Sequence, residues 1–254
     1  MSYFVGIDIG STCAKTIVLN EDLQICHRIL LPTGWSSVET AQSILEQLQQ
    51  AGFADSMKCV ATGYGRISVP YADKRVTEIT CHGKGASWLH DLQDLTVIDI
   101  GGQDTKIICV ESGMVKDFMM NDKCSAGTGR FIEVMANLLA VTPDELCRMA
   151  EHGSNTTISS MCTVFAESEV ISLIGRGESK ENIAFAVADS IVTKVVSQAG
   201  RLRLPGGGLC LTGGLCECEY IRRSLSEKLG QTVHAKPDGR YAGAIGAALH
   251  AVKL

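Results

Sequence analysis

The chain has 254 residues, 45% hydrophobic and 20% charged, enough to bury a sizeable core in one domain or in two lobes. Its 23 basic and 28 acidic residues leave a net charge of −5, which offers no basic footprint for nucleic acid or an anionic membrane. Mean hydropathy is +0.14, no apolar run nears the ~18 residues of a membrane span, and MSYFVGIDIGS has no secretory leader pattern, so a cytoplasmic protein is expected.

Tyr3–Gly10 (YFVGIDIG) predicts a strand ending in glycine, and STCAKTIVL predicts a return strand after a tight polar turn. Residues 38–51 repeat apolar groups at helical spacing and stop at Gly52. Lys58–Thr62 predicts a strand, followed by a glycine-rich GYGR turn. Leu95–Gly101 and Lys106–Val110 predict a second strand–turn–strand. Helices are expected over 127–139, from the Thr142-Pro-Asp-Glu145 capping box onward, over 163–174, and over 180–202. Leu209–Gly214 predicts a strand running into a glycine pair, and Tyr241–Val252 a helix of small residues suited to close packing.

The two hairpins are copies. With Asp8 laid on Asp99, 91 residues apart, Ile7/Ile98, Asp8/Asp99, Ile9/Ile100, Gly10/Gly101 and Lys15/Lys106 are identical. Such a duplication implies two similar lobes. The expected division is 1–92 with 241–254 as lobe I, and 93–240 as lobe II.

Glycine at a hairpin tip lets backbone N–H groups approach a phosphate, and neighbouring hydroxyls add donors. Gly10, Ser11, Thr12, Cys13, Ala14 and Lys15 are therefore candidate nucleotide contacts, with Lys15 as a point charge for phosphate oxygens and Cys13 acting through its backbone. Gly101, Gly102 and Gln103 are their counterparts, and Gly213 and Gly214 make a third glycine turn. Asp8 and Asp99 are placed to hold Mg2+ through its waters, and Gln103 or Asp104 to position an attacking water.

This set of hairpins and turns resembles the actin, Hsp70 and sugar-kinase ATPase superfamily. The resemblance implies an α/β fold of two duplicated lobes, mixed five-stranded sheets with flanking helices, around a nucleotide cleft. Two further segments are more specific. Asn121-Asp-Lys-Cys124-Ser-Ala-Gly127-Thr-Gly129-Arg-Phe131 and Met161-Cys162-Thr-Val-Phe165-Ala-Glu167-Ser-Glu169-Val170 are similar to the signatures of 2-hydroxyacyl-CoA dehydratase activators and benzoyl-CoA reductase ATPase subunits.

That resemblance implies that Cys124 and Cys162 are ligands of a 4Fe-4S cluster shared by a homodimer. It also implies ATP or ADP as cofactor, a dehydratase-type acceptor, and a ferredoxin or flavodoxin as electron donor. Two thiolates per chain become four by two-fold symmetry, and a helix N-terminus after each cysteine suits an anionic cluster.

The chain holds 11 cysteines, an odd number without a CxxC…CxxC pattern, so neither a disulfide framework nor a zinc ribbon is expected. Cys26, Cys59, Cys81, Cys109, Cys147 and Cys210 read as core, and Cys216-Glu-Cys218 as local packing or an exposed loop. Arg222, Arg223 and Lys228 read as a solvated helix face. Glu167 and Glu169 read equally as a solvated face or as guards of the cluster or a partner interface. The alternative reading is a sugar-type kinase with Asp122 as general base; it leaves both cysteine signatures without a purpose. A nucleotide-binding scaffold without the cluster is a third, and the presence of both cysteines argues against it.

Overall fold

A computed structural model describes residues 2–159 and 162–254; Ser160 and Met161, the latter opening the second cysteine signature, lie outside the described residues. The strands are β1 (Tyr3–Ile9), β2 (Cys13–Leu19), β3 (Ile25–Pro32), β4 (Met57–Thr62), β5 (Lys74–Arg75), β6 (Leu95–Ile100), β7 (Thr105–Glu111), β8 (Met114–Asn121), β9 (Gly208–Gly213) and β10 (Val233–Ala235). The helices are α1 (Ser37–Gln50), α2 (Glu78–His90), α3 (Gly129–Leu138), α4 (Pro143–Ala150), α5 (Thr163–Gly175), α6 (Lys180–Ala199), α7 (Glu219–Leu229) and α8 (Ala242–Ala251).

Two five-stranded sheets form, in the orders β3-β2-β1-β4-β5 and β10-β9-β6-β7-β8. Read from β8, the second order repeats the first strand for strand, so the duplicated hairpins sit at equivalent places in duplicated sheets. In the first sheet β2 lies antiparallel to both β1 and β3, while β4 runs parallel to β1 and β5. The two like sheets are what the hairpin duplication predicts, and their mixed five-stranded α/β form is what the superfamily resemblance implies.

The chain divides into two compact units, Met1–Leu95 with Cys109–Lys116 and Asp238–Leu254, and Thr96–Ile108 with Asp117–Pro237. In the first, β1 alternates its side chains between faces. Val5, Ile7 and Ile9 join Ala41, Ile44 and Leu48 of α1 in one core, while Phe4 turns the other way onto Ile17, Leu19, Val60 and the small residues of α8. In the second unit, Ile98, Ile100 and Ile107 pack with α3, α4, α6 and α7.

α2 and β3 are elements that the periodicity did not announce. The sequence of α2, EITCHGKGASWLH, carries two glycines and a weak apolar stripe. Those glycines serve α8: a β-carbon at Gly85 would fall on the Ala242 carbonyl, and one at Gly246 on the Cys81 carbonyl. Two helices that approach this closely tolerate only hydrogen at the contact. Helix α3 starts at Gly129 instead of residue 127, because Gly127 takes φ +88°, off the helical path. The Thr142–Glu145 capping box forms as expected. Among the described residues, no helix is long and apolar enough to cross a membrane.

Candidate functional site

In the first unit the hairpin tip closes with the Gly10 N–H donating to the Cys13 carbonyl at 3.1 Å. Ser11 and Thr12 are exposed, Cys13 and Lys15 half-buried, and the Ala14 side chain lies in the core, which leaves Ala14 only its backbone to offer a ligand. The tip is braced by Thr33, whose hydroxyl donates to Gly10 O at 2.7 Å and whose N–H donates to Thr12 O at 2.9 Å. The GYGR turn is fastened to the same place. The Gly65 N–H donates to Ile9 O at 2.9 Å, and Gly63 (φ +82°) presses so close that a β-carbon there would meet the Asp8 carboxylate. Asp8 itself is only 3% exposed.

The second hairpin repeats the tip, with the Gly101 N–H donating to Asp104 O at 2.9 Å. Its electrostatics differ. Lys106 is 2% exposed and pairs with Asp104 at 2.8 Å and with Asp99 at 3.3 Å. The Thr212 hydroxyl donates to the other Asp99 oxygen at 2.7 Å. With both oxygens engaged and 1% exposure, Asp99 has no face for direct metal contact, and a role toward Mg2+ has to run through water. Gln103 stands exposed at the tip. Gly213 and Gly214 lie against this hairpin: Gly214 N–H donates to Ile100 O at 3.0 Å, and Gly213 holds φ +85° where a β-carbon would strike Ile100.

A hydrogen-bonded path leads from this hairpin to the cysteines. The Thr105 hydroxyl donates to Gly127 O at 2.6 Å, and the first two amides of α3, Gly129 and Arg130, donate to Gly101 O and Gly102 O at 2.9 and 2.7 Å. Asn121 Nδ2 donates to Cys124 O at 2.8 Å and shapes the loop before the helix. The Ser125 and Thr163 hydroxyls, each directly following a cysteine, are 2.8 Å apart. Cys124 is half-buried and Cys162 is exposed as the N-cap of α5. Glu169, one turn and more into that helix, accepts from Ser159 N–H at 3.0 Å and from its hydroxyl at 3.0 Å.

One sequence expectation is corrected here. The α3 N-terminus does not face the Cys124 sulfur with open amides, because the tip carbonyls of the second hairpin take the first two. Of these two helices, only α5 begins directly at its signature cysteine. Thr105, Ser125, Thr163 and Glu169 complete the path, and no spacing rule points to a threonine or serine whose partner lies in a distant segment.

Other residues also moved. Cys26, read as core, is exposed on β3, an outer strand of its sheet. Arg222 pairs with Glu219 and donates to Val233 O, and Lys228 bonds Asp189 and Thr193 at 2.8 and 3.1 Å, so neither lies on a merely solvated face. Cys216 and Cys218 are buried. The Cys147 thiol bonds that of Cys218, holding Cys147 above and Cys218 below the ordinary thiol range. Burial pushes Cys59, Cys81 and Cys210 up to about 12, which makes them inert. Asp122, the base of the kinase alternative, is exposed within the Cys124 loop.

Among the described residues no three or more His, Cys, Asp or Glu converge to hold a metal ion. Cys124 and Cys162 instead fit half of a four-thiolate site, being accessible and tied through the residues that follow them.

Duplicated sheets, each with an aspartate two residues before its hairpin glycine, make the fold of the actin, Hsp70 and sugar-kinase superfamily, and the relatives make the chain an ATPase of it. A ROK family glucokinase from Streptomyces griseus, 14% identical with a TM-score of 0.62 over 100% of both chains, shares the fold alone. The chain belongs to the BadF/BadG/BcrA/BcrD ATPase family, which matches over residues 5–251. It is 43% identical, over 99% of its length and 97% of the relative's, to the (R)-2-hydroxyglutaryl-CoA dehydratase activating ATPase of Acidaminococcus fermentans. The crystal structure of that dehydratase's component A from the same organism superposes with a TM-score of 0.93, covering 100% of this chain and 98% of that one. The activator of 2-hydroxyisocaproyl-CoA dehydratase from Clostridium difficile, solved with bound ADPNP, is 34% identical with a TM-score of 0.92, covering 99% and 94% of the two chains.

Proposed function

We propose that this ATPase is an electron-transfer activator: a homodimer that holds one 4Fe-4S cluster through Cys124 and Cys162 of each chain and delivers single electrons to a dehydratase-type acceptor under control of ATP. The observation that carries this reading is the path from the second hairpin through Gly127–Arg130 and Ser125–Thr163 to both cysteines. A change at the hairpin tip then has a connected route to the cysteine pair, through the α3 amides on the tip carbonyls and the Thr105, Ser125 and Thr163 hydroxyls. Relatives that activate CoA dehydratases support the acceptor class.

Each residue has a part in this proposal. Gly10–Lys15, Gly101–Gln103 and the Gly213-Gly214 turn bind ATP or ADP, mainly through backbone N–H groups, with Lys15 meeting phosphate charge. Asp8 and Asp99 orient the waters of Mg2+, which when bound neutralises phosphate charge. Exposed Gln103 aligns the attacking water, whereas Asp104 is held by Lys106. The cluster, when bound, stores one electron. The N-terminus of α5, whose N-cap is Cys162, favours its negative charge.

The dimer is supported by α5. Val164, Phe165, Ile171 and Ile174 are exposed on it, and Phe165 is 68% exposed beside the Cys162 cap. Four large apolar side chains left exposed on one helix belong inside an interface, and a second copy supplies the missing two thiolates. A ferredoxin or flavodoxin is the proposed donor.

Iron and acid-labile sulfide on anaerobically purified protein test the proposal. The expected result is close to four irons per dimer, falling to near zero in both Cys124→Ala and Cys162→Ala. Iron-free protein, monomeric under the same conditions, refutes it.

A further inference from the structure

The two duplicated aspartates are compensated by different means. Asp99 meets the Lys106 ammonium at 3.3 Å and the Thr212 hydroxyl at 2.7 Å. Asp8 stands directly opposite Lys15 across the β1–β2 ladder, as the duplication requires, yet among the described residues Lys15 forms no ion pair with it. The group that faces Asp8 is the imidazole of His82 on α2, with Nε2 3.8 Å from Oδ2, and both side chains are nearly sealed from solvent.

The surroundings are shaped to admit that imidazole. A β-carbon at Gly243 of α8 would lie 2.6 Å from Asp8 Oδ2 and 2.8 Å from His82 Nε2, and one at Gly63 would fall on Asp8 Oδ1. The carboxylate thus occupies a slot left by two absent side chains, with His82 at its end. A carboxylate this deep needs a compensating partner, and a cross-strand lysine is the nearest alternative.

We propose that His82 is the positioning residue of Asp8, filling in the first unit the place that Lys106 fills in the second. His82 thereby keeps the Lys15 ammonium off Asp8 and directed to the phosphate oxygens of the nucleotide. This rests on the reading of the first hairpin as a phosphate site. One copy of the duplicated lysine is structural, sealed between Asp99 and Asp104; the other is half-buried and faces ligand.

The test uses the full chain, first without nucleotide. His82→Leu lowers Tm by about 10 °C. In an Asp8→Asn background the same change costs little further, and His82→Gln, which keeps an N–H, retains most of the stability. Should His82→Leu fail to fold, recovery of a folded Asp8→Asn/His82→Leu protein supports the pairing, and its failure to recover overturns it. An equal Tm loss in both backgrounds also overturns it.

The second arm is ADP binding by calorimetry. His82→Leu weakens ADP about tenfold as Lys15 swings onto Asp8, and in a Lys15→Met background that additional loss disappears. Unchanged ADP affinity in His82→Leu, with Lys15→Met itself weakened, overturns the proposed release of Lys15. Unchanged affinity in Lys15→Met, with the Tm coupling intact, refutes the phosphate reading of the hairpin and leaves only the Asp8–His82 pairing.

Discussion

Lys106 is among the largest fully buried side chains of the protein, and it is charged. Its ammonium is balanced by Asp99 and Asp104, so removing it takes the shared countercharge from two carboxylates, one of them 1% exposed. Lys106→Met therefore destabilises by about 3–5 kcal/mol, and adding Asp99→Asn recovers a large part of that. Urea unfolding of the two variants checks this, and a single-variant cost below about 1 kcal/mol contradicts it. At this scale much of the candidate site was legible. Asp8, Asp99 and their glycines stand out because two copies of a short pattern coincide. What could not be read was the difference between the copies, since Lys15 and Lys106 occupy identical sequence positions. Their environments diverge only when α2 delivers His82 to one aspartate and β9 delivers Thr212 to the other.

Among the elements, α5 is decisive. It begins at Cys162 and buries only Ala166 and Val170 against its own chain. Covering a large apolar side chain contributes about 1.5–3 kcal/mol, and in the proposed two-fold dimer each substitution counts twice. Phe165→Asp is expected to convert the dimer to monomer in anaerobic sedimentation while leaving the monomer's thermal stability nearly unchanged; a dimer of undiminished affinity contradicts the assignment. The helical stretch was plain from its pattern, but its exposure was not, because an apolar helix reads as buried from sequence alone. The opposite holds for α2, whose Gly83 and Gly85 suggest a break. Tertiary packing against α8 overrides that weak propensity. The start of α3 misled for a third reason: its first amides answer to carbonyls in a different hairpin, a long-range pairing that no local pattern encodes.

For the molecule as a whole, the account turns on the continuity between the second hairpin, the proposed nucleotide contact, and the cysteines. Thr105 is its most accessible link: its hydroxyl, 1% exposed as a residue, makes the 2.6 Å bond to Gly127 O, and valine has nearly its shape without the donor. The decisive measurement is the EPR-monitored midpoint potential of the proposed cluster, titrated with saturating ADP and then with ADPNP. A potential that differs between the two nucleotides in the wild-type protein, with the difference diminished in Thr105→Val, is the predicted result. One potential for both nucleotides, at full occupancy, would contradict the account.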